Sequence, residues 1–176
     1  MARRRDRVFA LVLAIVFFTT AFGFSFYVIW EIHSSDSTNS SNSSNNNTTT
    51  PTKLAGTKLA GFTPLSSVPV LKIVNIKNGT GAVVKSGATI TVDYTGAIAA
   101  TGVIFQSSLD TGQTATLSLN NVIEGWKLGI PGMRVGGERQ LLIPAGLAYG
   151  ASPPSGSNIP ANANLVFNIT LHSISS

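Results

Sequence analysis

The sequence predicts an α+β fold: an antiparallel twisted β-sheet wrapped around one short α-helix, preceded by a transmembrane helix and a disordered linker. Three observations predict it. From residue 62 onward, apolar and polar residues alternate in short runs, the period of strands with one wet face. One stretch, residues 122–128, reads as helical and stops before Gly129 and Pro131. Ahead of both lie an apolar run and a low-complexity tract.

The N-terminal elements come first. Residues 1–7 carry Arg3, Arg4, Arg5 and Arg7, a basic cluster expected to stay in the cytoplasm. Residues 8–30 contain no charge and, as a helix, would span roughly 34 Å against a hydrocarbon core of about 30 Å. Tyr27 and Trp30 close that run, where amphipathic rings favour the membrane interface. Ala21-Phe22-Gly23 resembles a small-residue cleavage site, but the apolar run continues past it, so the segment is read as an uncleaved anchor. Residues 31–61 form the expected linker. Its Ser/Asn/Thr-rich part, residues 34–52, has no apolar face to bury. The pentapeptide TKLAG occurs twice, at 52–56 and 57–61, and is assigned to the same linker.

The remaining residues, 62–176, make the folded domain. In residues 88–98, Ile90, Val92 and Tyr94 alternate with polar neighbours. Ala115, Leu117 and Leu119 do the same. Near the C-terminus Leu165, Phe167, Ile169 and Leu171 alternate with Val166, Asn168 and Thr170. Residues 139–143 are a short apolar run ended by Pro144. Several strands and one helix make an α+β arrangement.

Composition excludes several chemistries. The chain has 176 residues and no cysteine, so thiol nucleophiles, thiolate metal sites and disulfides are absent. The net charge of +5 is concentrated in the N-terminal arginines. From residue 62 onward six Lys/Arg face four Asp/Glu, too few and too scattered for a phosphate-tracking patch, so no nucleic-acid partner is expected. His33 and His172 are isolated in the sequence, and Asp93 and Asp110 read as surface or turn residues rather than an acid/base pair. The GMRVGG run at 132–137 lacks the strand and helix a dinucleotide loop requires.

One order of motifs is specific. VDYTG (92–96), GVIFQSS (102–108), VIEGW (122–126), GGERQLLIP (136–144), LAYG (147–150) and ANLVFNITL (163–171) follow one another. Each is weak alone. Together they resemble the FKBP-type peptidyl-prolyl isomerases, which bind rapamycin-like macrolides, from about residue 68 to residue 174. The resemblance implies the same sheet-and-helix fold, proline-containing polypeptide substrates, a monomer and no cofactor or metal. It implies that Trp126 is the floor beneath a prolyl ring, with Tyr94, Phe105 and Phe167 as walls. Val122 and Ile123 would line the rim, the Ile123 N–H donating to a substrate carbonyl, and the Tyr149 hydroxyl would donate to the carbonyl beside the twisting bond. Ile159 would complete the rim.

The chemistry suits such a set of residues. Rotation about an X-Pro amide faces a barrier of about 18–20 kcal/mol because resonance keeps the bond planar. No bond breaks, so a dry aromatic pocket complementary to the twisted amide suffices. Two positions depart from the family pattern. Gln106 stands where the family has Asp, and Ala115 where a further aromatic wall is usual. The expectation is therefore an isomerase that assists the folding of extracytoplasmic proteins, held by a single-pass anchor at the cell membrane. The alternative is a weakly active binding or chaperone module on the same fold.

Overall fold

The computed structural model describes residues 53–175. The expected basic N-terminus, the span at 8–30 and the Ser/Asn/Thr-rich tract lie outside the described residues. Among the described residues, no helix is long and apolar enough to cross a membrane.

The strands are β1 (Lys72–Lys77), β2 (Thr89–Ile98), β3 (Ile104–Ser107), β4 (Ala115–Ser118), β5 (Glu138–Ile143) and β6 (Leu165–Ser175), and the helix is α1 (Glu124–Gly129). They form one six-stranded sheet in the order β1-β5-β6-β2-β3, with β4 also on β2. Every pairing is antiparallel. The central pair is β2 with β6, in register from Thr89 opposite Ser175 to Ile98 opposite Leu165, with one irregularity at Thr91/Val92.

The alternation in β2 and β6 is realised as a buried inner face. Ile90, Val92, Leu165, Phe167, Ile169 and Leu171 lie in the main core with Trp126, Ile130, Leu141 and Ile143. The helix lies close to this face because two glycines, four residues apart, meet it. A Cβ at Gly125 would fall 2.5 Å from Ile143 Cγ2, and one at Gly129 2.8 Å from Leu141 Cδ2.

Arg139 then bolts the helix down. The residue is 7% exposed; its guanidinium Nη1 donates to the Gly129 carbonyl at 2.6 Å and Nε to Asn75 Oδ1 at 2.8 Å. This satisfies a carbonyl left open at the helix C-terminus. Burial lowers the Arg139 pKa from its ordinary value. A residue expected to begin an apolar run is thus a buried cation serving the helix.

Three boundaries differ from expectation. The helix runs over Glu124–Gly129 rather than 122–128: Ile123 is still extended (φ −60°, ψ 151°), and Gly129 is still helical. Strand β4 ends at Ser118, whose hydroxyl accepts from the Asn120 N–H at 3.3 Å and turns Leu119 into a 3₁₀ turn. The third difference is larger. Residues 53–61, expected as disordered linker, are bound to the sheet. Gly56 N–H donates to the Ile104 carbonyl, Ile104 N–H to Thr57, and Leu59 N–H to Gly102, each at 2.8 Å. Lys58 bridges Val103 in antiparallel sense. This strap extends the sheet beyond β3.

The strap also corrects the expectation of one wet face. Leu59 and Val68, with Leu54 and Phe62 packed alongside, cover Ala97, Ala99, Ile104, Leu142 and Val166 on the outer face. Val166, assigned to the polar side by alternation, is fully buried there.

Candidate active site

Strand β2 carries Tyr94 inward, and Gly96 follows two residues on, on the same face. Gly96 stands opposite Phe167 of β6 and Gln106 of β3. A Cβ there would lie 2.6 Å from Phe105 Cζ and 2.7 Å from Phe167 Cε1, so only glycine lets both rings close over β2. From the helix side Trp126 enters the same space, 3% exposed.

Three of the four ring pairs meet edge to face, the arrangement their quadrupoles favour. Tyr94 and Trp126 have centroids 5.6 Å apart at 86°. Trp126 and Phe167 are 5.4 Å apart at 87°, and Phe105 and Phe167 5.7 Å apart at 86°. Tyr94 and Phe167 are tilted, 6.5 Å apart. Phe167 touches all three others and is the hub. Trp126 Nε1 is the buried side-chain polar atom without a partner among the described residues.

The other expected residues border this cluster unequally. Val122, Ile123, Ala115 and Tyr149 pack half-buried against the same core, and Ile159 is buried within it. The Ile123 carbonyl accepts from the N–H groups of Trp126 and Lys127 at 2.9 and 3.2 Å, starting the helix. Tyr149 follows a 3₁₀ turn at Ala145–Leu147, fixed by Gly150 N–H to the Ala145 carbonyl at 2.9 Å. Asn162 N–H to the Gly150 carbonyl at 2.7 Å ties that turn to the loop before β6. Ala115 stands opposite Val92 on β4, leaving no ring on that side. Gln106 is half-buried beside Phe105, and nothing in the structure ties its amide to the cluster.

Two phenols give the site its polar character. Burial, and then the neighbouring Tyr149, push the Tyr94 hydroxyl up to about 12. Burial also raises Tyr149. Both phenols are neutral at physiological pH and keep a proton to donate. The arrangement therefore offers flat apolar surfaces and two hydroxyl donors, with no nucleophile among them.

Two surface clefts lie elsewhere. One of about 330 Å³ is lined by Asn75, Lys77, Arg134 and Arg139 among others. One of about 510 Å³ runs between residues 82–89 and the end of β6. Neither includes a ring of the cluster.

Sequence reasoning missed the residues that make the cluster possible. Gly96 and Gly125 were visible only as letters inside motifs, and Gly129 was read as the residue that stops the helix, whereas it is the helix's last residue. The spacing of 125 and 129 was the available signal, since residues four apart share a helix face. Asp93 was read as a surface or turn residue, and Ser107 and Ser108 only as letters of one motif, although hydrogen bonds join them around Tyr94.

This fold and aromatic cluster define a peptidyl-prolyl isomerase domain of one family. The description "FKBP-type peptidyl-prolyl cis-trans isomerase" matches residues 81–172. The chain is 48% identical over 102 residues to a probable FK506-binding protein of Corynebacterium glutamicum, covering 57% of this chain and 84% of that one. It is 43% identical over 114 residues to FK506-binding protein 4 of Dictyostelium discoideum, covering 61% of this chain but 30% of that longer protein. Among solved structures, a peptidyl-prolyl cis-trans isomerase of Pseudomonas syringae pv. tomato superposes with a TM-score of 0.54 at 29% identity, over 62% of this chain and 84% of that one. The chain belongs to the FKBP-type peptidyl-prolyl cis-trans isomerases.

Proposed function

We propose that the domain binds X-Pro segments against the aromatic cluster and accelerates their isomerisation on the extracytoplasmic side of a membrane. Trp126 is the floor, and Tyr94, Phe105 and Phe167 are the walls. The observation that carries this reading is the convergence of three edge-to-face ring pairs around Phe167 and Trp126. Beside it, Tyr149 keeps a neutral phenol available to a carbonyl. An amide twisted out of conjugation loses charge separation, and a dry apolar site favours that form over the planar one. Rapamycin-like macrolides are proposed to occupy the same site. Residues 8–30 anchor the chain in this reading, and the arginines before them set its orientation.

The test is a protease-coupled isomerase assay with several X-Pro peptides, run beside titration of Trp126 fluorescence with a proline mimic. Turnover with a saturable fluorescence change is expected. Peptide binding without turnover would instead establish the alternative, a binding module. Gln106 and Ala115 are the observations behind that alternative, because no carboxylate follows Phe105 and no ring stands at 115. Gln106→Asp is expected to raise kcat/KM about tenfold, the low end for one well-placed electrostatic contact. An unchanged, already fast rate would mean that desolvation alone drives the reaction. Membrane placement is checked by protease added to intact cells, which should remove the folded domain; full protection would reverse the orientation.

A further inference from the structure

Tyr94 sits at a break in its own strand. Strand β2 pairs with β4 from Thr89 to Val92 and with β3 from Thr95 to Ala97. Asp93 and Tyr94 fall between the two ladders on that edge. Two serine hydroxyls take the place of the missing strand. The Tyr94 N–H donates to Ser108 Oγ at 3.0 Å, and Ser107 Oγ donates to the Tyr94 carbonyl at 3.1 Å. Both serines are buried, at 5% and 7% exposure, so neither Tyr94 backbone group has water to fall back on.

The orientation of Ser108 is set from outside. Its hydroxyl lies 3.1 Å from Asp93 Oδ1 and 3.5 Å from the Tyr94 carbonyl. The nearer, charged acceptor takes the single proton. That leaves the Ser108 lone pairs for the Tyr94 N–H. Asp93 is held in turn by His172 on β6, whose Nε2 lies 2.7 Å from Oδ2. One chain of hydrogen bonds therefore runs from a surface imidazole through a carboxylate and a buried hydroxyl to the backbone of an aromatic wall.

We infer that Asp93 and Ser108 are positioning residues for the isomerase reaction: they fix the backbone, and hence the ring, of Tyr94. The inference rests on the reading of Tyr94 as a wall of the substrate site. It gives an acidic residue expected at the surface a specific task and explains why two serines follow Phe105 and Gln106. Neither residue touches substrate. Their effect travels through Tyr94, whose ring meets Trp126 edge on.

The test uses the full chain. Ser108→Ala and Asp93→Ala are expected to lower kcat/KM by about five- to tenfold, the size of one lost hydrogen bond. Amide hydrogen exchange at Tyr94 should accelerate by a similar factor, while exchange in β5 stays unchanged. Ser108→Thr retains the hydroxyl and should restore the rate to within about twofold. Asp93→Asn keeps the shape and guards against a folding defect in the alanine variant; it should show the same direction of change. Tyr94→Leu separates the two layers of the argument. If Tyr94→Leu lowers the rate while the Asp93 and Ser108 variants leave it unchanged, the positioning role is overturned and the wall stands. If Tyr94→Leu leaves both rate and peptide affinity unchanged, the wall reading falls and the positioning role falls with it.

Discussion

The two faces of the sheet are built from different material. The inner face carries Trp126, Phe167, Tyr94 and Phe105 and the larger core. The outer face is paved with Ala97, Ala99 and Val166, and it is covered by a strap rather than by a helix. Large rings can enclose a ligand because they leave flat walls between them. Small residues cannot, and they need a neighbour that lies flat. The strap supplies one. Its two TKLAG copies make the same turn twice: Thr57 N–H donates to Leu54 at 2.9 Å and Phe62 N–H to Leu59 at 3.3 Å. In each, the glycine holds a left-handed φ, 91° at Gly56 and 69° at Gly61, as a type II turn requires. Identical letters give identical turns, but burial differs. Leu59 is 8% exposed over the outer face, whereas Leu54 is half-buried and its turn is held by Asp110, which accepts from the N–H groups of Leu54 and Ala55. Local sequence sets the turn; the surface beneath sets what it is worth.

Substitutions on the two faces should separate function from stability. The largest effect belongs to the inner face. Phe167→Ala removes the hub of the cluster and should cost about 3–5 kcal/mol while abolishing the fluorescence response to a proline mimic. Denaturant melts and the titration report the two losses independently; full retention of binding would move the substrate site away from the rings. On the outer face Leu59→Ala should cost about 2–4 kcal/mol with kcat/KM unchanged, and Leu54→Ala about 1 kcal/mol. A fragment beginning at residue 62 should melt below one beginning at residue 53, because it lacks the strap. Equal melting of the two fragments would return residues 53–61 to the linker.

The smallest effect is in alkali. The Tyr94 pKa rises from 10.0 to about 12 on folding, so the fold favours the protonated phenol. The stability this contributes is complete below pH 10 and is lost as pH climbs through about 12. Tyr94→Phe should flatten that decline, whereas Leu59→Ala should shift the whole curve without changing its slope.

The inner face was legible because its residues are large and periodic. Tyr94 and Phe167 fall on the apolar phase of their strands, so pattern alone turned them toward one core, while Trp126 was placed by the motif order. The motif order supplied Phe105 and Tyr149, which no periodicity marks. The outer face was illegible for the converse reason. Ala97 and Ala99 carry little hydrophobic signal, and Val166 looks like one apolar intruder on a polar side. The strap's partner, β3, lies some 45 residues away in sequence, so nothing local distinguishes TKLAG from the tract before it. Strand β1 was missed because it is an exposed edge, half-buried only at Val74. Arg139 was misread because a buried guanidinium acquires meaning only from the helix end it reaches.

The strap also determines how the domain bears tension. A pull on the chain from its N-terminal side reaches Asp110's hold on Leu54 and Ala55 first. It next meets the bonds between the strap and Ile104, then the one from Leu59 to Gly102. These contacts load one after another, as in a zipper. Force spectroscopy should record a small early extension, on the order of 30 Å for the nine residues of the strap, before the main rupture. A domain held on a tether would thus have a compliant first stage, leaving the aromatic cluster assembled while the strap gives way.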